Sequence, residues 1–210
     1  MFQLIQGASI PDVSGLREAY QLCGDKLYAN VSAENIPKVF EAFLLQMRED
    51  EPLFLFIEAP CSEDDERKLN PPEAAEDPSV RVFHRDVYYL DGYDREDMLL
   101  FLRSGVGELL INDGLVFFGF GSLDSNVELG KYQYNALVGH LSGQESARLA
   151  GLFDALGIPC VPQLVTAWDL FSEENPGTSR KYRFNGKDVY DLIEEMTELG
   201  LYKAETREEA

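Results

Sequence analysis

The sequence predicts an α+β fold in which helices pack on a mostly antiparallel sheet. Three observations favour it. Of the 210 residues, 45% are hydrophobic and 11% aromatic, which is enough to bury a sizeable core. Apolar residues recur at helical spacing in several segments, while others are continuously apolar or β-branched. Tight-turn signals, such as the Asn112-Asp113-Gly114 sequence, separate some of the strand candidates. We expect one domain over residues 1–210.

A β-α-β unit is predicted over residues 26–58. Residues 26–31 (KLYANV) have strand character, and Ser32 is a plausible helix N-cap. From 33 to 48, apolar side chains recur every three or four residues and predict one buried helix face: Ile36, Val39, Phe40, Phe43, Leu44 and Met47. Residues 53–57 (LFLFI) are continuously apolar, which is typical of a strand covered on both faces.

Residues 59–79 are predicted to form a long, exposed, acidic loop. They contain four prolines, seven acids and only one large aliphatic residue, Leu69. Such a segment cannot bury enough apolar surface to offset the entropy of ordering it. Its acids Glu63, Asp64 and Asp65 are candidate contacts for a basic partner.

The same order of elements returns after this loop. Residues 80–90 predict a strand, and Asp94 is expected to cap a helix that ends at Gly105. Residues 106–112 predict another strand, with residues 115–120 (LVFFGF) as its hairpin partner. Through residue 112 the order is βαββαβ, which is shared by the ferredoxin-like arrangement.

The last third of the chain is predicted to be mainly helical. Ser142 and Glu145 have the spacing of a capping box, and so do Thr166 and Asp169. The second box opens a short helix that carries Trp168. A final helix is expected over residues 188–199, followed by a polar, frayed tail over 203–210.

The charge balance narrows the functional classes. With 38 acidic and 18 basic residues, the formal net charge is −20. Phosphates would be repelled, so neither nucleic acid nor an anionic membrane is expected as a partner. We expect no signal sequence and no transmembrane helix, and Cys23, Cys61 and Cys160 do not resemble a disulfide framework. The cytoplasm is therefore the expected compartment.

Catalytic signatures are weak, and we predict no catalytic, cofactor-binding or metal-binding residue. His84 and His140 are isolated from each other, although imidazole metal sites usually need two or more ligands. Acids beside Cys61 would suppress its thiolate. One alternative remains open, an enzyme with a carboxylate and tyrosine cleft beside the strand at 80–94, acting on a small polar or sugar-like substrate.

The leading hypothesis is a soluble, bacterial-type accessory or binding protein whose acidic surface engages a basic protein partner, as an immunity protein or antitoxin does. Besides the loop acids, the candidate contact residues are Trp168, Asp169, Arg180, Lys181, Tyr182 and Arg183. A further alternative is an oligomerising structural module in which the 115–120 strand is an exposed sheet edge. The sequence does not predict an oligomeric state.

Overall fold

The computed structural model describes residues 1–70, 82–140 and 145–208. Its α+β class, with helices on a mostly antiparallel sheet, confirms the predicted fold. Within these ranges there are ten strands: β1 Ala8–Ser9, β2 Ala19–Cys23, β3 Lys26–Asn30, β4 Leu53–Pro60, β5 His84–Tyr93, β6 Phe117–Ser122, β7 Val127–Lys131, β8 Ala136–His140, β9 Thr178–Ser179 and β10 Tyr202–Glu208.

Eight strands make one antiparallel sheet in the order β10-β5-β4-β6-β7-β8-β3-β2, and β1 pairs with β9 in a small separate ladder. The described part of the chain also contains six α-helices: α1 Ile36–Leu45, α2 Glu63–Leu69, α3 Arg95–Arg103, α4 Gly105–Asn112, α5 Glu145–Ala155 and α6 Val189–Thr197. Among the described helices, none combines the length and the apolar character needed to cross a bilayer.

The main core lies between one face of the sheet and the helices. Alternate residues of β4, such as Leu55 and Ile57, point to this side and are fully buried. Phe40 of α1 contacts Phe118 and Phe120 of β6, with ring centroids 5.0 and 5.6 Å apart. The buried residues of α1 are those that the sequence predicts, except that Met47, although buried, lies beyond the end of the helix.

The opposite face of the sheet, which we call the open face, carries the other alternate residues. On this face, the two central strands of the sheet, β6 and β7, carry glycines. A Cβ added to Gly119 would lie 2.5 Å from the Phe56 ring, and one added to Gly130 would lie 2.8 Å from it. Glycine at these positions lets the aromatic ring approach the strands closely. Phe56 is thereby buried, which confirms that β4 is covered on both faces.

Residues 106–112 are helical, which corrects the predicted βαββαβ order. The Ser104 hydroxyl accepts a hydrogen bond from the Val106 N–H and starts α4 directly after α3. The β-branched Val106 and Ile111 made this segment resemble a strand, but its leucines pack on the main core. Strand β6 lies between β4 and β7, so the 115–120 segment is not an exposed sheet edge.

Both segments that were expected to lack structure contain regular elements. Within 59–79, Ser62 caps α2 by accepting the Asp65 N–H, and residues 71–79 lie outside the described residues. The tail predicted to be frayed forms β10, whose pairing with β5 orders it. The composition of the tail does not predict this pairing, because the partner strand lies more than a hundred residues away in the sequence. Ser142 of the first predicted capping box is also outside the described residues.

On the helix side of the sheet, one lysine is completely buried. The ammonium of Lys131 donates to the carbonyl oxygens of Asp113, Val116 and Leu110 at 2.5, 3.3 and 3.5 Å. The Asp113 carboxylate accepts the N–H groups of Leu115, Val116 and Tyr182. Burial lowers the pKa of Lys131 to about 7. Together these groups fix the connection between α4 and β6.

Candidate functional site

An apolar pocket of about 340 Å³ opens on the open face, where strands β3 and β8 meet the segment 164–168. The surface that lines it is almost entirely apolar, and six of its lining residues enter the argument below: Tyr28, Phe117, Tyr132, Val138, Leu164 and Trp168. Pockets of this size and character are typical of binding sites in proteins. We call it the open-face pocket.

A short 3-10 helix over Ala167–Leu170 places Trp168 at the rim of the pocket. It begins with the predicted capping box, in which the Asp169 carboxylate accepts the N–H and the hydroxyl of Thr166. Ala167 is buried beneath it, whereas Trp168 remains 46% exposed and meets Tyr134 edge to face. The local sequence therefore anchors the backbone and leaves the indole available.

The strands fix the other walls of the pocket. Asn30 donates from its amide to the carbonyl oxygen of Val165 at 2.5 Å and ties the rim segment to β3. Tyr132 packs against Phe117 with ring centroids 4.9 Å apart. The Arg85 guanidinium lies 3.7 Å from the centre of the Phe117 ring, and this cation–π contact helps to hold the ring in place.

Two carboxyl groups flank the pocket. Glu58 pairs directly with Phe117 across the β4–β6 ladder. Glu128 is the diagonal neighbour of Val138, because the register pairs Glu128 with His140 and Gly130 with Val138. Diagonal neighbours in an antiparallel ladder lie about 7–8 Å apart. Both acids thus sit next to pocket-lining residues on the same face of the sheet.

Burial raises the pKa of both acids, but only one of them has a cationic partner. Glu58 is 8% exposed and accepts from Arg207 at 2.9 Å, which partly offsets the cost of burial. For Glu128, repulsion from Glu58 adds to the burial, and Arg207 opposes them. Within the described part of the chain, Glu128 makes no hydrogen bond and no ion pair.

The neighbours of Glu128 do not neutralise it. Burial, and then the charge of Lys26, lower the pKa of His140 below its ordinary value, so this imidazole is uncharged at neutral pH. Lys26 itself lies one strand further away, opposite His140. Burial also raises the pKa of Tyr132 to about 12, and the charges of Glu58 and Glu128 add to this effect. The pocket wall and the two carboxyls therefore share one weakly hydrated environment.

The predicted acidic contacts lie on α2, in its first turn. Glu63 and Asp64 are paired with Arg67, and Asp65 is paired with Lys68. These are exposed pairs along one helix, which contribute little to stability. Their side chains remain accessible to a partner.

The predicted basic cluster is used within the molecule. Arg183 pairs with Asp188 at 3.5 Å, and the Lys181 ammonium lies 4.1 Å from the centre of the Tyr190 ring. The Tyr182 hydroxyl donates to Glu108 at 3.0 Å. Arg180 donates to the carbonyl oxygen of Gln6 at 3.3 Å. These contacts fix the 178–184 segment against its neighbours.

The cleft predicted beside the strand at 80–94 is divided between the two faces of the sheet. Asp86 and Tyr88 point to the helix side, where Asp86 accepts from Lys203 and Thr206. Burial raises the pKa of Cys61 to about 12, and its hydrogen bond to Asp86 contributes. Tyr89 lies on the open face instead, with Glu58 beside it in the sheet.

The remaining residues of that prediction have structural partners. Asp94 caps α3 by accepting the Asp97 N–H, as predicted. The imidazole of His84 lies 3.1 Å from Glu66, and Asp91 accepts from Tyr202. In the ranges that the structure describes, no three His, Cys, Asp or Glu residues come together in a way that could hold a metal ion.

Comparison with known proteins returns no relative: the chain matches no protein-family model, no curated protein and no solved structure.

The sequence prediction includes Trp168 of the pocket and Asp169 of the short helix that carries it. It does not include the lining residues Tyr28, Phe117, Tyr132 and Val138, or the flanking acids Glu58 and Glu128. One signal was present in the sequence, because Glu58 interrupts an otherwise apolar strand, LFLFIEAP. A carboxyl in such a strand must face a special environment.

Proposed function

We propose that this protein is a non-catalytic accessory or binding protein of bacterial type, which engages a basic protein partner in the manner of an immunity protein or antitoxin. One observation carries the proposal. In a chain with net charge −20, an exposed tryptophan borders an apolar pocket, and the half-buried Glu128 carboxyl beside that pocket forms no ion pair with a described residue.

Each part of that observation supports a role in recognition. Tryptophan and tyrosine are enriched among residues that dominate binding energy at interfaces, and Trp168 and Tyr28 are 46% and 37% exposed. Large negative charge attracts a basic partner over distance and increases the rate of association. The exposed acids Glu63, Asp64 and Asp65 add to this attraction.

The charge argues against two classes of partner, and the cysteines bear on the compartment in which the protein acts. The negative charge disfavours nucleic acids and anionic lipid surfaces as ligands. Cys23, Cys61 and Cys160 are all free thiols. Free thiols support the cytoplasm as the proposed compartment, because reducing conditions maintain them there.

Capture of the partner at two salt concentrations tests this function. The immobilised protein is exposed to cell extract at about 50 mM and about 500 mM NaCl, and retained proteins are identified, purified and titrated back by calorimetry. We expect one basic protein that binds stoichiometrically and more weakly at high salt. Binding that does not depend on salt, or no basic protein that binds after purification, would refute the proposal.

A second candidate is an enzyme that acts on a small polar or sugar-like substrate. The observation that favours it is the pair of carboxyls with raised pKa, Glu58 and Glu128, near Tyr89 and Tyr132 on the open face. Hydrolysis of a panel of aryl glycosides, abolished by Glu128→Gln and by Glu58→Gln, would establish it. No turnover above that of the variants would exclude it.

A further inference from the structure

We propose that the open-face pocket and Glu128 form one docking site for an extended segment of the basic partner. An apolar side chain of the segment fills the pocket, and a lysine or arginine two residues away pairs with Glu128. This inference rests on the proposed function and names the surface through which that function operates.

The size and the rim of the pocket fit a side chain on a polypeptide. A cavity of about 340 Å³ accommodates one large aliphatic or aromatic side chain with part of its backbone. The apolar surface continues beyond the cavity, because Tyr28, Val165 and Trp168 remain exposed around it. A small molecule inside the pocket would leave this rim uncovered, whereas a peptide would cover it.

The spacing of the site sets the spacing of the motif. Glu128 and Val138 are diagonal neighbours, so the two positions from which their side chains leave the sheet are about 7–8 Å apart. In an extended chain, residues i and i+2 lie on the same side and are separated by about 6.5–7 Å. A segment with an apolar residue at i and a cation at i+2 therefore matches both features at once.

Charge complementarity favours a cationic side chain and disfavours a second copy of this chain as the occupant. Glu58 is already paired with Arg207, and His140 is uncharged at neutral pH, so Glu128 is the carboxyl that remains available. A lysine or arginine next to Glu128 would replace the hydration that burial removes. Two copies of a chain with net charge −20 would instead repel each other.

Short peptides test the site without the partner. Trp168 is the only tryptophan, so its single indole N–H signal in NMR spectra reports on the pocket alone. The probe is acetyl-Gly-Phe-Ser-Lys-Gly-amide. Matched probes replace Lys with Glu, replace Phe with Ala, or place Phe and Lys at adjacent positions. We expect saturable shifts with the first peptide and at least tenfold weaker binding of the other three.

Variants separate the role of Glu128 from general charge. Glu128→Gln should reduce the preference for Lys over Glu to less than threefold, while Glu194→Gln, an exposed site on α6, should retain the tenfold preference. Equal binding of the Lys and Glu peptides to the wild type, or an unchanged preference in Glu128→Gln, would overturn the inference. So would binding of 4-phenylbutylamine that is as tight as that of the peptide, because it would identify a small-molecule site.

The docking site and the proposed function can fail separately. If the captured partner binds Trp168→Ala and Glu128→Gln as tightly as it binds the wild type, the function stands and the docking site is wrong. If no basic partner exists but the peptide preferences hold, the proposed function is wrong and the chemistry of the pocket remains. The inference is confirmed only when peptide and partner respond to the same two variants.

Discussion

Lys131 and Glu128 lie three residues apart on β7, on opposite faces of the sheet, and the surroundings of their charged groups differ. On the helix side, the Lys131 ammonium is enclosed by three carbonyl oxygens and has Asp113 nearby. On the open face, Glu128 is desolvated beside an apolar pocket and has no partner in the described residues. Both charges lose solvation, but of the two only the lysine forms hydrogen bonds within the described part of the fold.

This difference distinguishes a structural charge from one available to a ligand. The hydrogen bonds of Lys131 and Asp113 are all made within the protein, and they fix the connection between α4 and β6. On the open face, the Glu128 carboxyl has no hydrogen-bond or ion-pair partner in the described part of the chain. The exposed Trp168 lies at the rim of the pocket that Glu128 flanks. Changes on the helix side should therefore affect stability, and changes on the open face should affect binding.

The largest effect on stability is expected for Asp113→Ala. This change removes the acceptor for the N–H groups of Leu115, Val116 and Tyr182 and leaves Lys131 without its nearby anion. We expect the free energy of unfolding to fall by about 3 kcal/mol. Urea denaturation measures it. A loss no larger than that of Glu194→Gln would contradict a structural role for this network.

The pH dependence of the free energy of unfolding should reveal the lowered pKa of Lys131. Its pKa is about 7 in the folded protein and about 10.4 when unfolded, so between these values the unfolded state binds more protons and stability rises with pH. Relative to Lys131→Met, the wild type should gain about 2 kcal/mol between pH 7 and pH 9.

Urea denaturation of both proteins at each pH measures this gain. The thiol of Cys61, whose pKa is raised to about 12, acts in the opposite direction above its unfolded pKa, but it does so equally in both proteins. Parallel curves for the wild type and Lys131→Met would show that the ammonium is not desolvated.

Trp168→Ala should affect binding far more than stability. The indole is nearly half exposed, and we expect its loss, including the contact with Tyr134, to cost about 1 kcal/mol of folding free energy. Its loss from an interface should weaken partner binding by about 30-fold. Thermal denaturation and calorimetry measure the two effects. Trp168→Phe, which retains an aromatic ring, should recover part of the affinity.

The smallest predicted effect is electrostatic. Glu58→Gln removes the charge that repels Glu128, and it leaves Arg207 free to attract Glu128, so the pKa of Glu128 should fall toward its ordinary value. Side-chain carboxyl signals in ¹³C NMR follow the titration. An unchanged pKa of Glu128 would show that the two carboxyls do not share one environment.

The elements that were predicted correctly depend on local signals. The apolar spacing of α1, the cap at Asp94 and the box at Thr166 and Asp169 are all contained within a few residues. Residues 106–112 were misassigned because β-branched residues at both ends of α4 concealed its helical packing. Strand β10 was missed because its order comes from pairing with β5 rather than from its own composition.

The site was less predictable than the fold. Glu58 and Glu128 are seventy residues apart in the chain, and they share a face because the registers of the β4–β6 and β6–β7 ladders place both on the side opposite the main core. Strand order and register are long-range properties that periodicity does not contain. Trp168 could be found because a lone tryptophan beside a capping box is visible locally.

Titration of the purified partner against the wild type, Glu128→Gln and Glu194→Gln tests the central claim most directly. Each variant removes one negative charge, so a purely diffuse attraction would weaken binding equally in both. We expect Glu128→Gln to raise the Kd at least fivefold and Glu194→Gln to raise it less than twofold. Equal changes in the two variants would contradict the open face as the binding surface.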